Sequence, residues 1–383
     1  MGKKISRILI LLLALLLLVA VFMPGHYSRA IIHGYVNIDD YKIFDNRIVQ
    51  NDQPIPWQKD SLYNMQKISD KYTHVFDTFG TTAFVVIRDK KLVYEEYWDG
   101  ATDTTRSNSF SAAKSIISLL IGCLLDEGKI KSLEQPVSDF LPGFKNTNGF
   151  TLRIKDLLTM SSGLDWDEGY SSLFSPTTEA YYGNDLSSQM LDLKVVSEPG
   201  KKFEYQSCDT QLLGMIVGSA SGKSVSEYAS EKLWKPLGAE HPALWSLDRE
   251  DGIEKAYCCF NSTARDFARI GQMVLDSGQF NNRQIVSHSY ILQATNPALY
   301  LTGEDNKPCY YYGYHFWILN HKGHKVAYAR GILGQYIFII PDLNAVVVRL
   351  GTARNKEYRN HTPKDVFTYL DAAFELIGET KSF

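Results

Sequence analysis

The chain has 383 residues, 44% of them hydrophobic and 22% charged, which is an ordinary composition for a globular protein. Its formal net charge of -3 excludes the strongly basic surface that nucleic-acid binding requires, so chemistry on small molecules or peptides is favoured. The five cysteines are too sparse for a disulfide scaffold and lack metal-ligand spacing, and with the dispersed histidines they predict neither a metal nor a cofactor.

Residues 1–30 predict either a cleaved export signal or an uncleaved N-terminal membrane anchor. Three basic residues precede an apolar run over residues 8–23, which Pro24 ends. The run is short for a full membrane span, and residues 28–30 form an imperfect cleavage site, so both interpretations stay open. Because the basic residues stay inside, either one predicts an exported, periplasmic or extracytoplasmic body that meets a membrane only through an uncleaved leader.

After the leader, residues 31–60 predict an extended approach segment to one domain over residues 61–383. The predicted elements of that domain are a helix over 60–79, strands over 81–88 and 92–98, helices over 116–125, 154–160, 210–220, 263–278 and 286–295, strands over 312–319, 325–329, 335–340 and 345–350, and a helix over 363–377. Strands at both ends enclose a helical stretch over 119–245. The predicted fold is therefore α/β (α+β), an antiparallel sheet flanked by helices with an inserted all-helical lobe and a cleft between them.

A single Ser-x-x-Lys, from Ser111 to Lys114, stands directly before the apolar helix over 116–125. Positions i and i+3 share a helix face, so the hydroxyl and the amine are expected within hydrogen-bond reach. A partly desolvated lysine can activate a serine hydroxyl, and the helix N-terminus favours the developing alkoxide. We interpret Ser111 as a nucleophile, with simple helix capping as the alternative.

Two downstream segments offer partners for this pair. Tyr205 follows a Pro-Gly turn and precedes a helix, and a tyrosine near ammonium groups is expected to ionise easily and to exchange protons with a leaving group. The glycine-rich segment at Gly331 joins two strands, where the backbone N–H groups of Ile332 and Ser111 can form an oxyanion hole. Packing of the tyrosine between lobes and an ordinary β-turn are the alternatives.

In this order the segments resemble the serine β-lactamase and penicillin-recognising family, specifically its class C-like branch. The motifs that carry the resemblance are Ser111–Lys114, Asp156–Gly163, Pro199–Gly200 with Tyr205, Pro236–Gly238, Thr263–Asp266 and Gly334–Gln335. The resemblance implies the β-lactamase/transpeptidase-like fold and an acyl-serine mechanism in which Lys114 and Tyr205 move protons.

Departures from the family pattern bear on the substrate. Ser207 replaces the asparagine of the family's Tyr-x-Asn, and Ala329 replaces the cationic first residue of its third motif, although Arg330 is adjacent. Both changes predict weaker recognition of a substrate carboxylate. His321 starts a second match to the third motif, but its position in a turn between strands indicates a chance match.

The branch that fits these departures best is the group of 6-aminohexanoate-dimer hydrolases and related esterases. We therefore expect hydrolysis of small amides or esters. A β-lactamase or D-alanyl-D-alanine carboxypeptidase is the first alternative, and a non-catalytic wall-associated protein is the second. The resemblance also suggests substrate contacts at Tyr170, Tyr181 and Asp185, with Ser207 and Gly331 beside them, although a place in a surface loop without a catalytic role is the favoured interpretation of the first three.

Overall fold

The computed structural model describes residue 5 and residues 24–379. The helices of this part are α1 (Gly25–His33), α2 (Asp70–Thr78), α3 (Ala113–Asp126), α4 (Ile154–Leu158), α5 (Pro176–Tyr182), α6 (Leu186–Leu191), α7 (Ser207–Ser221), α8 (Val225–Ala229), α9 (Ala264–Leu275), α10 (His288–Ala294) and α11 (Lys364–Leu376). The strands are β1 (Asn46–Val49), β2 (Gln58–Lys59), β3 (Thr81–Arg88), β4 (Lys91–Tyr97), β5 (Ser107–Asn108), β6 (Ala243–Ser246), β7 (Phe260–Ser262), β8 (Gln279–Phe280), β9 (Arg283–Gln284), β10 (Trp317–His321), β11 (His324–Gly331), β12 (Gln335–Ile340), β13 (Ala345–Gly351), β14 (Tyr358–Arg359) and β15 (Thr362–Pro363).

The main sheet has the strand order β10-β11-β12-β13-β3-β4-β2 within the described residues. All neighbours pair antiparallel except β2 and β4. Both faces are covered: Val85 belongs to the core on the α9 side, whereas Phe84 and Val86 pack on the side of α2 and α11. Because neither face meets water, β3 is apolar along nearly its whole length instead of alternating. The predicted antiparallel sheet flanked by helices is confirmed.

A second sheet has the strand order β1-β6-β7-β5 within the described residues. It corrects the prediction for residues 31–60, which hold the end of α1, β1 and β2 rather than only an extended approach. β1 pairs with β6, and Arg47 forms an ion pair of 2.7 Å with Glu254. These partners lie about two hundred residues away in the chain, so no local pattern could indicate them.

Most predicted elements agree with the structure, and two differ at their starts. The helix predicted over 60–79 begins only at Asp70, because the backbone of residues 60–64 hydrogen-bonds to β4 instead. The strand predicted over 312–319 begins at Trp317, since the preceding residues turn at His315, whose φ is 59°. The first difference arises from pairing with β4, and the second from hydrogen bonds of His315 and Tyr314 to the carbonyls of Leu158 in α4 and Ala294 in α10.

The helical lobe contains α4 to α8 and packs on α3, whose residues from Ala113 to Leu124 are all buried. A helix that is apolar around its whole circumference belongs in a core. The N-terminus of α3 lies against the end of β11 and the start of α7, and this junction opens to the cleft.

The predicted leader, residues 1–30, lies mostly outside the described residues. Within residue 5 and residues 24–379, every helix is too short or too polar to cross a bilayer.

Candidate active site

Ser111 lies in a strained turn that leads into α3. The preceding residue, Phe110, has a φ of 44°, a value that costs a residue other than glycine about 1–3 kcal/mol. Two hydrogen bonds hold this conformation: Phe110 N–H donates to Asn108 Oδ1 at 2.9 Å, and Ser109 N–H donates to the Phe260 carbonyl at 2.8 Å. The turn therefore leaves Ser111 half-buried at the cleft while its neighbours are buried.

Lys114 is buried directly behind this turn, with 1% of its surface exposed. Its ammonium donates to Ser207 Oγ at 3.1 Å and to the Tyr257 carbonyl at 2.8 Å. The rings of Tyr205 and Tyr257 lie 5.4 and 5.3 Å from Nζ. Burial lowers the pKa of Lys114 to about 8, against the opposing charge of Glu168. About half of the amine is therefore neutral at pH 8, far more than for a lysine of ordinary pKa, and the neutral form can accept a proton.

The expected hydrogen bond between Ser111 and Lys114 is absent from the side-chain hydrogen bonds of the described residues. Ser111 belongs to a 3-10 turn and α3 begins only at Ala113, so the pair does not share one α-helical turn. The Lys114 amine donates its hydrogen bonds to Ser207 Oγ and to the Tyr257 carbonyl instead. Catalytic hydrogen bonds often tighten only when substrate binds, so the geometry keeps Lys114 as a candidate base.

Tyr205 also approaches Ser111 but does not ionise easily. Burial raises its pKa above the usual value, and the negative charge of Glu168 adds to the effect. The nearby Ser111 hydroxyl and the positive charges of Arg330 and Arg354 lower this pKa by less. The expectation of an easily ionised tyrosine is therefore wrong, because desolvation outweighs the nearby cations. Tyr205 keeps its proton and can donate it.

Glu168 is a site residue that the sequence patterns did not indicate. Its carboxylate accepts hydrogen bonds from Ser207 N–H at 2.6 Å, from Ser207 Oγ at 2.5 Å and from Trp166 Nε1 at 2.7 Å. The Tyr170 hydroxyl donates to it as well. Through Ser207 it is linked to Lys114, whose charged form it favours. One acidic residue in an acidic loop carries no signal of its own, and only the fold brings it to the lysine.

The end of β11 lies against the turn of Ser111. A Cβ atom on Gly331 would lie 2.2 Å from the Ser109 carbonyl oxygen, so only glycine permits this approach. Gly331 therefore acts through close packing. Ile332, the next residue, lines the cleft together with Ser111. The oxyanion hole of these two N–H groups stays a prediction.

Two cavities meet at Ser111, Tyr170 and Ile332. The first, the apolar cavity, has a volume of ≈ 270 Å³ and is lined largely by apolar and aromatic side chains, including Val36, Phe110, Leu173, Tyr181 and Tyr257. The second, the basic cavity, has a volume of ≈ 410 Å³ and includes Tyr205, Glu304, Trp317, Arg330, Arg354 and His361. The nucleophile candidate therefore separates two chemically different halves of one cleft.

The remaining predicted contacts divide between cleft and surface. Tyr170 and Ser207 line the cleft. Tyr181 does so too, but its hydroxyl already donates to Asp40 at 2.6 Å. Asp185 is not brought to either cavity: it caps α6 by accepting from Ser188 N–H, and it lies 3.9 Å from Arg249. His321 likewise pairs with Asp371 on α11, in agreement with a chance motif match.

Adjacent Cys258 and Cys259 form a disulfide, and Cys258 lines the apolar cavity. The bridge directly follows Tyr257, whose backbone carbonyl accepts a hydrogen bond from Lys114. The other cysteines, Cys123, Cys208 and Cys309, are free and buried. Among the described residues, no three His, Cys, Asp or Glu side chains are grouped to hold a metal ion.

Known proteins are similar to this chain over most of its length. Residues 73–369 match the Beta-lactamase family. A 6-aminohexanoate-dimer hydrolase from Paenarthrobacter ureafaciens is 26% identical over 299 residues, covering 73% of this chain and 74% of that protein. A putative D-alanyl-D-alanine carboxypeptidase from Escherichia coli (strain K12) is 26% identical over 182 residues, which is 41% of each chain.

Solved structures show the same fold. A putative 6-aminohexanoate-dimer hydrolase from Bacillus anthracis has a TM-score of 0.73 at 23% identity and covers 90% of this chain and 94% of its own. A family VIII carboxylesterase has a TM-score of 0.61 at 16% identity, with coverage of 81% and 99%. With the family match over most of its length, the chain belongs to the β-lactamase family and is a serine hydrolase.

Proposed function

We propose that the protein hydrolyses small amides or esters through an acyl-serine intermediate on Ser111, as a member of the class C-like branch. The observation that carries this proposal is the position of Ser111 between two cavities, with the low-pKa amine of Lys114 buried behind it. Tyr205, which lines the basic cavity together with Ser111, supplies a hydroxyl that retains its proton.

In the proposed reaction the Ser111 oxygen attacks the substrate carbonyl carbon, and its proton passes to the neutral amine of Lys114. The N–H groups of Ser111 and Ile332 hold the resulting oxyanion. When the carbon–heteroatom bond breaks, Tyr205 gives its proton to the leaving group and regains one from the Lys114 ammonium. Water then attacks the acyl ester by the reverse proton path and releases the acid.

The position of Tyr205 assigns the two halves of the substrate. The residue that protonates the leaving group must lie on the leaving-group side. Tyr205 lines the basic cavity and not the apolar one. The leaving group therefore occupies the basic cavity, and the acyl group occupies the apolar cavity.

The charges of the basic cavity favour a leaving group that carries a carboxylate. Arg330 and Arg354 both line it, and neither forms an ion pair within the described residues. Arg330 is held in place by the His361 carbonyl at 2.7 Å and lies 3.2 Å from the centre of the Trp317 ring. Glu304, the acidic residue of this cavity, pairs with His361. These guanidinium groups can replace the cation missing at Ala329, so the loss of that residue does not by itself exclude carboxylate recognition.

The test compares two butyrate esters that differ only in leaving-group charge, 4-carboxyphenyl butyrate and 4-carbamoylphenyl butyrate. We expect kcat/KM to favour the carboxylate by about 10-fold or more, because a charge-assisted hydrogen bond is worth about 1.5–3 kcal/mol. Arg354→Met should abolish that preference. Arg283→Met, an exposed arginine on β9, is the matched control. Equal rates for both esters in the unchanged protein would contradict the anionic leaving group.

Penicillins and D-alanyl-D-alanine peptides also carry carboxylates, so the β-lactamase and carboxypeptidase alternatives belong in the same experiment. A chromogenic cephalosporin and a D-alanyl-D-alanine peptide complete the panel, and faster turnover of either would replace the preferred substrate class. A fluorophosphonate probe tests the non-catalytic alternative. Labelling that is absent, or unchanged in Ser111→Ala, would favour a binding protein.

For location, we propose that the protein is exported and acts outside the cytoplasm. The support is the basic and apolar pattern of residues 1–30. Intact mass of the protein recovered from expressing cells distinguishes a cleaved leader from a retained one.

A further inference from the structure

The apolar cavity is walled by the end of the predicted leader, in α1, and by the residues that follow it. Ala30, Tyr35 and Val36, in and just after α1, face Leu173 of the loop before α5 across this cavity. The wall is fixed to the lobe. Arg29 donates to the Tyr182 carbonyl at 3.3 Å, and the Tyr182 hydroxyl donates to the Gly34 carbonyl at 2.9 Å.

Next to the wall of this cavity, in and just after α1 and on the loop before α5, several large apolar side chains are exposed. We call this cluster the apolar rim; its members are Ile31, Ile32, Tyr35, Leu173 and Phe174. Phe174 is 81% exposed and Ile32 is 75% exposed, the highest values among large apolar side chains of the described residues. The two sides of the rim meet where the rings of Tyr27 and Phe174 lie 5.4 Å apart. Clustered apolar exposure of this kind marks an interaction surface.

The adjacent sequence indicates which partner covers the rim. The apolar run over residues 8–23, preceded by basic residues, ends one residue before α1 begins at Gly25. A helix of nine residues spans only about 14 Å at 1.5 Å per residue. A bilayer that holds this run would therefore lie within reach of every residue on α1. The exposed apolar side chains of the rim, held at this distance, fit the surface of a lipid bilayer.

We infer that the apolar rim docks on a lipid surface and that the apolar cavity takes a fatty acyl chain from it. This inference rests on the proposed acyl-serine function and on the retained form of the leader, which keeps α1 in place, and it adds the acyl half of the substrate. The acyl chain would enter between α1 and the loop before α5, with its carbonyl at Ser111. The competing outcome is that protein, not lipid, covers the apolar rim. That cover would be either the chain's own leader or a second copy of the chain.

The first experiment measures docking directly in the full-length protein. An environment-sensitive NBD label is placed at Ile32→Cys and, as a matched control, at Leu292→Cys, an apolar residue 52% exposed on α10. The native free cysteines are buried. With phosphatidylcholine vesicles containing some phosphatidylglycerol, we expect fluorescence at position 32 to rise and to be quenched by nitroxides on the lipid chains. Position 292 should not respond.

Two results of this experiment would overturn the inference. One is an unchanged signal at position 32 when the protein is bound to vesicles. The other is a label at position 32 that is already shielded before vesicles are added, which would indicate a protein covering the rim. Chemical crosslinking of that shielded form then shows whether the cover is the leader or a second copy.

The second experiment separates this inference from the proposed function. Acetyl and octanoyl esters of 4-hydroxybenzoate are compared in the unchanged protein, in Ile32→Glu with Phe174→Glu, and in the control Leu292→Glu with Leu299→Glu. We expect kcat/KM to rise by up to about fourfold per added methylene. In the presence of vesicles the rim variant should lose this gain but retain acetyl-ester turnover. Failure to cleave the acetyl ester would refute the proposed function, whereas equal octanoyl rates in both variants would refute only the rim.

Discussion

Among single residues, Lys114 shows how burial lowers the pKa of an amine. Its side chain has no carboxylate in direct contact among the described residues, and its two hydrogen bonds go to a serine hydroxyl and a backbone carbonyl. Desolvation of the ammonium therefore prevails over the more distant charge of Glu168 and brings the pKa to about 8. The same burial acts in the opposite direction on Tyr205, which keeps its proton.

The first prediction concerns the pH dependence of acylation. Because the base must be neutral, kcat/KM for a chromogenic ester should fall as pH drops through about 8, where Lys114 takes up a proton. Lys114→Ala should lower kcat/KM by about 10²–10⁴-fold. It should also remove the fall of kcat/KM at low pH, which is the acid limb of the pH–rate profile. Circular dichroism serves as the control for folding. An unchanged rate in the folded variant would exclude Lys114 as the base.

The second prediction uses Glu168 to shift that limb. Its negative charge favours the protonated form of Lys114, so Glu168→Gln should move the midpoint of the acid limb to lower pH. The exposed Asp192→Asn in the same lobe is the matched control and should leave the midpoint in place. A shift to higher pH would contradict the assigned electrostatics.

The third prediction separates the two proton carriers. Tyr205→Phe removes only the donor for the leaving group, so it should slow turnover less than Lys114→Ala. The loss should be small for a nitrophenyl ester, whose leaving group departs as an anion, and larger for an amide, whose nitrogen must be protonated. Rates on the two substrates measure the difference. A loss equal to or greater than that of Lys114→Ala would reverse the two roles.

Among elements, the contact between β11 and the turn before α3 positions the site. Backbone approaches backbone at Gly331 and Ser109, so the geometry leaves no room for a side chain. β11 belongs to the main sheet, whereas the turn is bonded to β7 of the second sheet. The cleft therefore depends on how two separate sheets meet.

The fourth prediction tests this contact. In Gly331→Ala the added Cβ would lie 2.2 Å from the Ser109 oxygen, so β11 must move away from Ser111. We expect kcat/KM to fall and the free energy of unfolding in urea to drop by about 1–3 kcal/mol. Gly218→Ala, within α7 and with room for a Cβ, is the control and should be neutral or stabilising by up to about 1 kcal/mol. Unchanged kinetics in Gly331→Ala would show that the close approach does not position Ser111.

For the whole molecule, buried lysines link stability to pH. Lys255 is fully buried, donates to the Leu247 carbonyl, and has its pKa lowered by burial to about 7. The charge of Arg29 lowers this pKa further, whereas Asp248 and Asp45 raise it. In the unfolded chain the pKa of this amine is the ordinary lysine value of 10.5. Above pH 7 the unfolded chain therefore binds more protons than the folded protein.

The fifth prediction follows from this difference in bound protons between the unfolded and the folded protein. The free energy of unfolding should rise from pH 7 into the mildly alkaline range, by at most about 1.4 kcal/mol per pH unit for each such lysine. Lys255→Met should flatten the rise, and the exposed Lys145→Met should not. Urea titrations at several pH values provide the measurement. A stability that falls with pH over this range would contradict the buried neutral amine.

The sequence by itself determined the family, the order of the main elements and the pair Ser111 and Lys114. These features are local: apolar periodicity, turn residues and a tetrapeptide motif record what neighbouring residues do. Ser207 and the Tyr257 carbonyl lie 93 and 143 positions from Lys114 in the chain, and only the tertiary structure brings them to its amine. The same holds for Glu168, for the two arginines of the basic cavity and for the apolar rim. Protonation states and cavities depend on surroundings in space, since desolvation and charge act over distances that chain spacing does not encode.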